Sequence, residues 1–280
     1  MKDMERVLSE VEKLPPMPQV VQRLAAMLRD PEVSAAQLVG TVQLDQALTA
    51  NVLRVCNSAY FGARRQVNSL QQALALIGND RLLDIVISQG SSAYFARASK
   101  GYELARGELW RHSVAAALAS QILCRRLSGR GDPMLYTAAL LHDIGKVVLS
   151  EFVAEGFQAI QALVRERRVS FGEAEREVLG IDHAALGARM CERWDFPPQL
   201  VAAIANHHDP EAARSDPLSA LVYVSDLICL LLGIGAGADG LAYHGGDTLM
   251  ATLKMTEVDI HLTMADLADE LQRAEEMLQV

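Results

Sequence analysis

The chain has 280 residues, half of them hydrophobic and 5% aromatic, and its net charge is −9. This length allows one large domain or two of ordinary size, and the acidic balance argues against a protein that binds the phosphate backbone of DNA. The four cysteines form no CxxC pair, and the longest apolar run, residues 227–238, is shorter than the ~20 residues that cross a bilayer. We therefore predict a cytoplasmic protein with no DNA and no membrane among its partners.

Apolar residues recur at helical spacing along most of the chain, and no segment alternates as a β-strand does. Alanine and leucine dominate these positions, which favours helices over sheets. Helix starts are marked by two candidate capping boxes and by two Asp-Pro pairs, in which Asp caps a helix that begins with Pro. These are Ser34 with Gln37, Ser69 with Gln72, Asp132 with Pro133, and Asp216 with Pro217. We predict an all-α fold.

The helical pattern is interrupted at residues 99–107, where glycines occur and the charge balance turns acidic. The chain has no long Gly/Ser- or Pro-rich linker there, so we predict two helical lobes packed directly together. The N-terminal helical lobe would comprise residues 1–105 and the C-terminal domain residues 106–280. Tyr60 and Phe61 are adjacent aromatics in a chain that has few, and we expect them to pack between the lobes and to cover the entrance of a site.

Two patterns resemble nucleotide-binding motifs but lack the necessary context. Residues 235–240 contain a literal GxGxxG. A helical segment precedes it where a dinucleotide-binding fold needs a strand, so we predict a flexible loop. Residues 34–58 have the spacing of a helix-turn-helix, but the second helix has Arg54 as its one cation. A DNA-reading helix needs several basic side chains, so DNA binding is not predicted.

The string LLHDIGK at residues 140–146 carries the main chemical signal. His142 and Asp143 at a helix end can bind one cation together through an imidazole nitrogen and a carboxylate oxygen, a mixed pair that suits Fe, Mn, Zn or Mg. Asp226 lies on an apolar helix face, where a carboxylate is costly without a partner. Lys146 could place a positive charge beside a phosphate oxygen. The candidate metal ligands are His112, His142, Asp143, His183, His207, His208 and Asp226.

The order of these ligands, His, His-Asp, His, His-His and Asp, resembles the HD superfamily of metal-dependent phosphohydrolases. The N-terminal half resembles the HDOD branch, the HD-related output domains of bacterial signalling proteins. The strings that carry this second resemblance are LPPMP at 14–18, DQALT at 45–49, NSAYFG at 57–62, and SLQQAL at 69–74 followed by IG at 77–78. The resemblance covers about residues 14–230, and it implies that the C-terminal lobe is an HD-domain-like helical bundle.

The resemblance implies two alternative functions. The first is a bacterial signal-transduction output domain that retains an HD-type, dinuclear metal site and contacts signalling proteins. The second is an active metal-dependent phosphohydrolase or phosphodiesterase that acts on a nucleotide or cyclic dinucleotide, in which two ions steady an in-line transition state. We expect a divalent transition metal, with Fe or Mn favoured, because most of the ligands are imidazoles. Zn, Ni and Mg are the alternatives.

The enzyme alternative assigns a role to each ligand. One ion would be held by His112, His142, Asp143 and Asp226. The other would be held by His183, His207 and His208, with Asp143 as the bridge. Consecutive helical residues point ~100° apart, so one of the paired histidines could instead orient a ligand. The catalytic residues would be Asp143 and Lys146. Lys146 would neutralise the negative charge that develops on the phosphate.

Glu108 is a further candidate ligand, because it precedes His112 by four residues on the same helix face. The corresponding position binds a third metal in some HD-GYP enzymes. Those enzymes hydrolyse cyclic di-GMP and follow their His-His pair with Gly-Tyr-Pro, whereas His208 is followed by DPE. This departure argues against cyclic di-GMP as a substrate. His244 and His261 lie outside the pattern and are predicted to be surface residues.

Overall fold

The structure of the chain, a computed structural model, describes residues 2–14, 17–28, 30, 33–63, 66–95, 99–239 and 250–278. Within these ranges it contains fourteen α-helices, a few short 3₁₀ helices and no β-strand. One isolated antiparallel bridge joins Ser99 to Leu104. The predicted all-α fold is therefore confirmed for the described part of the chain.

Five helices form the N-terminal part of the fold. They are α1 (Lys2–Lys13), α2 (Gln19–Met27), α3 (Ala35–Val42), α4 (Gln46–Cys56) and α5 (Leu70–Ser91). Ser34 begins α3 in the predicted capping box with Gln37. Ser69 caps α5 through the backbone N–H of Gln72, but the Gln72 side chain accepts from the Asn68 N–H and does not complete the second box.

Nine helices form the remainder. They are α6 (Glu108–Ser128), α7 (Pro133–Leu141), α8 (Lys146–Arg167), α9 (Phe171–Leu179), α10 (His183–Arg193), α11 (Pro198–Ala205), α12 (Pro210–Ala213), α13 (Pro217–Leu231) and α14 (Glu257–Leu278). Asp132 and Asp216 cap α7 and α13, each ahead of a proline, as predicted. Asp182 caps α10 by accepting from the backbone N–H of Ala185, and His183 is the first residue of that helix.

The helices bury two hydrophobic clusters. The smaller cluster lies among α2 to α5 and includes Leu24, Val52 and Val86. The larger is built mainly by the helices after residue 107, and it also takes in Val7 and Val11 of α1. The lobes meet where α5 packs on α7 and where α1 packs on α8. Two packed helical lobes are confirmed, while the division at residue 105 stays a prediction because α1 packs with the C-terminal helices.

The segment between α5 and α6 is anchored to α8. Gly101 approaches α8 so closely that a Cβ would stand 2.2 Å from the Ser150 carbonyl oxygen. The Gly101 N–H donates to Ser150 Oγ at 3.1 Å. Glycine is needed for such an approach because it has no side chain. The next residue, Tyr102, is fully buried. The segment between the lobes therefore places an aromatic ring in the core of the C-terminal lobe.

One described stretch, Pro133–Arg167, is long and apolar enough to cross a membrane by length and composition. It consists of α7, the turn at His142 and Asp143, and α8. A core helix passes the same test, and Leu140 and Ile144 are fully buried in the larger cluster. The stretch forms part of the hydrophobic core of the C-terminal lobe.

Candidate metal centre

The candidate ligands come from separate elements that converge in the C-terminal lobe. They are His112 on α6, His142 and Asp143 in the turn between α7 and α8, His183 on α10, His207 and His208 after α11, and Asp226 on α13. All are buried except His208, which is partly exposed. Gly145 lets the turn approach α10, because a Cβ there would stand 2.0 Å from the His183 carbonyl oxygen. The glycine of LLHDIGK therefore brings two ligand-bearing elements together.

His112, His142 and Asp226 form the first cluster of possible metal ligands. The Nε2 atoms of His112 and His142 are 3.3 Å apart. Asp226 Oδ1 lies 3.0 Å from His112 Nε2 and 3.7 Å from His142 Nε2. The two nitrogens and one oxygen make a mixed donor set of the kind that binds divalent transition metals.

The second cluster contains Asp143, His183, His207 and His208. Asp143 Oδ1 lies 3.6 Å from His183 Nε2 and 3.7 Å from His207 Nε2. His183 Nε2 is 2.8 Å from His208 Nε2. Asp143 Oδ1 and His207 Nε2 are buried and have no hydrogen-bond partner among the described residues. Since buried polar atoms nearly always have a partner, these two atoms fit ligands of a cation.

Asp143 connects the two clusters. Its Oδ2 lies 3.5 Å from His112 Nε2 and 3.4 Å from His142 Nε2, while its Oδ1 faces the second cluster. The geometry therefore allows one carboxylate to serve both clusters.

Four histidines have Nδ1 against a hydrogen-bond acceptor. Backbone carbonyl oxygens lie between 2.7 and 2.9 Å from the Nδ1 atoms of His112, His142 and His207. His183 Nδ1 lies 2.7 Å from Glu175 Oε2. A neutral imidazole that donates from Nδ1 keeps a lone pair on Nε2, which is the state that binds metal. Each of these rings is thus oriented to present Nε2 to the centre.

Glu175 on α9 is fully buried and supports His183. Its Oε2 accepts from Nδ1 of His183 and, at 3.0 Å, from the backbone N–H of His183. Its Oε1 accepts from the Tyr102 hydroxyl at 2.5 Å. Burial and then the Glu175 charge raise the pKa of Tyr102 well above its usual value, so the hydroxyl keeps its proton. Both residues are absent from the ligand pattern in the sequence.

Lys146 is bound to two carboxylates. Its Nζ lies 2.6 Å from Asp143 Oδ2 and 2.5 Å from Asp239 Oδ2. The same ammonium is 5.3 Å from the centroid of the Tyr102 ring. Burial alone would lower the pKa of Lys146, but Asp143 and Asp239 outweigh burial and raise it. Lys146 is therefore positively charged, and carboxylates of the chain already balance that charge.

The histidines differ in their electrostatic environment. Burial opposes a charged His142, but Asp143 and Asp226 outweigh burial and raise the pKa of His142 to about 10. For His208, burial and then the neighbouring imidazoles lower the pKa well below its usual value. Without metal, the protein therefore holds a proton on His142 while His208 is neutral. An ion that binds His142 must displace that proton.

The loop after α13 closes one side of the centre. The Ala238 N–H donates to the Tyr102 carbonyl oxygen at 2.9 Å. A Cβ on Gly235 would stand 2.6 Å from His112 Cβ, and a Cβ on Gly237 would stand 2.2 Å from the Tyr102 carbonyl oxygen. Gly235 and Gly237 thus allow this loop to pack closely on His112 and Tyr102. The GxGxxG pattern, to which both glycines belong, predicted a flexible loop. The last glycine of the pattern lies outside the described residues.

Glu108 is not brought to either cluster. It is exposed, and its Oε2 accepts from the backbone N–H of Ala105, three residues before α6 begins, at 2.5 Å. This placement gives no support to Glu108 as a metal ligand. His261 is exposed on α14, as expected, and His244 lies outside the described residues.

A cavity of about 330 Å³ opens beside the second cluster, where it is bordered by His183 and His208. All of its lining residues lie within residues 170–239, so Tyr60 and Phe61 do not border it. The two aromatic rings contact each other, with centroids 4.7 Å apart, and their 3₁₀ helix packs on α14. They lie between the lobes as expected, but the expectation that they cover the entrance of the site is wrong.

The chain matches a known protein family and is similar to several solved structures. Residues 14–210 match the family model of the HDOD domain. A solved HDOD domain protein of unknown function from Geobacter sulfurreducens is 27% identical, with a TM-score of 0.75 over 98% of this chain and 96% of that chain. A candidate signal transduction protein from Marinobacter aquaeolei VT8 is 20% identical and shares the fold, with a TM-score of 0.79 over 100% of this chain and 64% of that chain.

Curated relatives are longer than this chain. An uncharacterised protein of Treponema pallidum (strain Nichols) is 23% identical over 207 residues, which are 72% of this chain and 39% of the relative. Ribonuclease Y of Thermus thermophilus is 30% identical over 105 residues, which are 38% of this chain and 13% of that enzyme. The chain thus spans well under two thirds of the length of either relative.

Proposed function

Because the chain belongs to the HDOD domain family, we propose that it is a bacterial signal-transduction output domain that holds two metal ions. The observation that carries the metal proposal is Asp143, whose two carboxylate oxygens face two separate groups of imidazole nitrogens. One ion would be held by His112, His142, Asp143 and Asp226. The other would be held by Asp143, His183, His207 and His208.

The donor atoms favour a transition metal. Five imidazoles and two carboxylates make up the proposed ligand set, and imidazole suits Fe, Mn, Zn or Ni better than Mg, which prefers oxygen ligands. We propose Fe or Mn as the resident metal, with Zn or Ni as the alternatives.

The signalling role rests on the family and on the N-terminal lobe. In the described parts of α2 to α5, no group of His, Cys, Asp and Glu side chains gathers as it does in the C-terminal lobe. A lobe without such chemistry, packed on one that carries it, suits a domain that acts by contacting other signalling proteins. The Marinobacter protein of the same fold, a candidate signal transduction protein, agrees with this role. The cytoplasmic location stays a prediction.

A second candidate function is a metal-dependent phosphohydrolase that acts on a nucleotide or cyclic dinucleotide. It is favoured by the full ligand set and by the likeness to ribonuclease Y. Two bound divalent ions would supply Lewis-acid stabilisation of an in-line displacement at phosphorus. The chain would hold them, Glu175 would keep His183 in its metal-binding tautomer, and Lys146 would place positive charge near the phosphate.

Elemental analysis of the purified protein tests the metal proposal. We expect about two equivalents of transition metal per chain. Asp143→Ala should lose most of it, because the substitution removes the oxygens that face both clusters. His261→Ala, at an exposed position on α14, is the control and should keep the wild-type content. Well under one equivalent in the wild type after reconstitution, or equal contents in both variants, would contradict the proposal.

A panel of phosphodiesters separates the two functions. Cyclic di-GMP, other cyclic nucleotides and short RNAs are incubated with the protein and added Mn²⁺ or Fe²⁺. The output-domain proposal expects little or no turnover, above all for cyclic di-GMP, because His208 is followed by DPE and not by Gly-Tyr-Pro. Turnover that disappears in Asp143→Ala would favour the enzyme.

A further inference from the structure

The cations beside the candidate centre are already paired with carboxylates of the chain itself. Arg176, which lines the cavity, forms an ion pair with Asp182. Lys146 is bound by Asp143 and Asp239 at 2.6 and 2.5 Å. A phosphate group that entered the cavity would therefore find both cations neutralised, and it would have to compete with a carboxylate for either of them.

Asp239 is the carboxylate that stands where a phosphate would meet Lys146. Its side chain is 8% exposed, it lines the cavity, and its Oδ2 contacts Nζ. Its Oδ1 is buried and has no hydrogen-bond partner among the described residues. The negative charge of Asp239 would repel an ionised phosphate group that approached Lys146 from the cavity.

The loop holds Asp239 in this position. The residue before it, Ala238, donates its N–H to the Tyr102 carbonyl oxygen at 2.9 Å. The carbonyl oxygen of Ile234 lies 2.9 Å from Nδ1 of His112. Gly237 fits against Tyr102 only because it lacks a Cβ. The contact with Lys146 is therefore part of a closely packed segment that is fixed at several points.

We propose that Asp239 is a specificity-determining residue that occupies the phosphate-binding side of Lys146 and keeps phosphate groups out of the cavity beside the metal centre. The proposal rests on the proposed function for the identity of that centre. It gives a physical reason why a domain with a full set of metal ligands would hold metal without hydrolysing phosphodiesters. Phosphate enters only when Asp239 leaves Lys146.

Binding of inorganic phosphate to the full chain tests the role of Asp239. Affinity is measured by isothermal titration calorimetry on wild type and Asp239→Asn, once as purified with its metal content determined and once after treatment with a chelator. Asp239→Asn should bind phosphate at least tenfold more tightly than the wild type, because the substitution removes one of the two carboxylates that balance the Lys146 charge, the one that lines the cavity. The gain should disappear in the double variant Lys146→Met/Asp239→Asn.

Glu173→Gln is the matched control. Glu173 lines the same cavity and loses the same charge, does not contact Lys146, and glutamine can preserve its capping box with Ser170. It should change phosphate affinity less than twofold. Equal gains in Glu173→Gln and Asp239→Asn would show a general charge effect and overturn the proposal, as would equal affinity in Asp239→Asn and wild type.

One further measurement and one further variant keep the outcomes distinct. Thermal unfolding monitors folding, and Asp239→Ser replaces Asp239→Asn if the latter does not fold. A wild type that contains no metal, combined with a tenfold gain in Asp239→Asn after chelation, would reject the proposed metal centre and support the role of Asp239. A wild type with about two equivalents of metal and no gain in either Asp239 variant would reject only the role of Asp239.

Discussion

Replacing Glu175 by glutamine tests how far the candidate metal centre depends on a residue outside the ligand set. One oxygen of Glu175 accepts two hydrogens from His183, and the other accepts from Tyr102. Glutamine has nearly the same shape. Its amide oxygen can still accept from His183, and its NH₂ group can donate to the Tyr102 oxygen. The substitution therefore removes a negative charge while it preserves the packing.

The expected magnitude follows from the hydrogen bond that changes. A charge-assisted bond is about twice as strong as a neutral one, and loss of such a partner behind a metal-bound histidine lowers metal affinity by about 10–100-fold. This factor corresponds to about 1.4–2.7 kcal/mol. Glu175→Ala should also destabilise the fold, because it leaves His183 and Tyr102 with unpaired buried donors, at about 1–3 kcal/mol each.

Competition with a chromophoric chelator measures metal affinity in protein that has first been stripped of metal. Glu177→Gln is the control, since Glu177 lies on the same helix but is exposed, in an ion pair with Arg167 at 2.6 Å. Its metal affinity should stay within about twofold of the wild type, because exposed ion pairs contribute little. If Glu175→Gln unfolds at the wild-type temperature and binds metal as tightly as the wild type, the argument that Glu175 sets the state of His183 is refuted.

Two other predictions concern pH. Metal affinity should rise between about pH 6 and 9, because His142, with its pKa raised to about 10, must release a proton when an ion binds; a flat profile in competition titrations would argue against His142 as a ligand. Burial raises the pKa of Asp84 well above its usual value, and its Oδ1 has no hydrogen-bond partner among the described residues. The contribution of the protonated Asp84 to the free energy of unfolding is therefore fully present at low pH and is lost as the pH rises through that raised pKa. Asp84→Asn should raise the free energy of unfolding by about 1–3 kcal/mol at pH 8 and by less at pH 4, and an equal difference at both pH values in urea denaturation would contradict this.

The features that could be predicted from the sequence depend on neighbours along the chain. Helix caps such as Asp132 and Asp216 act on the next three residues, so their pattern is local and the structure confirms them. The candidate ligands stand out because histidines and carboxylates follow one another in a characteristic order along the chain, and the structure gathers all seven into two clusters. Their role as ligands stays a prediction. The prediction of Glu108 rests on its spacing from His112 and on the resemblance to HD-GYP enzymes, and spacing on one helix does not fix which way a terminal side chain turns.

Three residues that support the centre, Glu175, Asp239 and Tyr102, lie outside the ligand pattern of the sequence. Glu175 occupies one position of the apolar stripe of α9, beside the buried Phe171 and Ala174, and a carboxylate at such a position is a signal of a buried partner. Asp239 and Tyr102 carry no comparable signal. Their contacts depend on how the chain passes between distant helices, as at Gly237, and that path is a product of the assembled fold.

The packing of α1 on α8 has a consequence during synthesis. Val7 and Val11 bury their side chains in the larger cluster, but α8 begins about 135 residues after Val11. A ribosome that adds about 5–20 residues per second needs about 7–27 s to make that length. A twelve-residue helix is only marginally stable by itself in water, so α1 must wait, largely unformed, while α2 to α5 collapse on one another. Docking of α1 is then a late step of folding, and until it happens Val7 and Val11 stay exposed to water on the nascent chain.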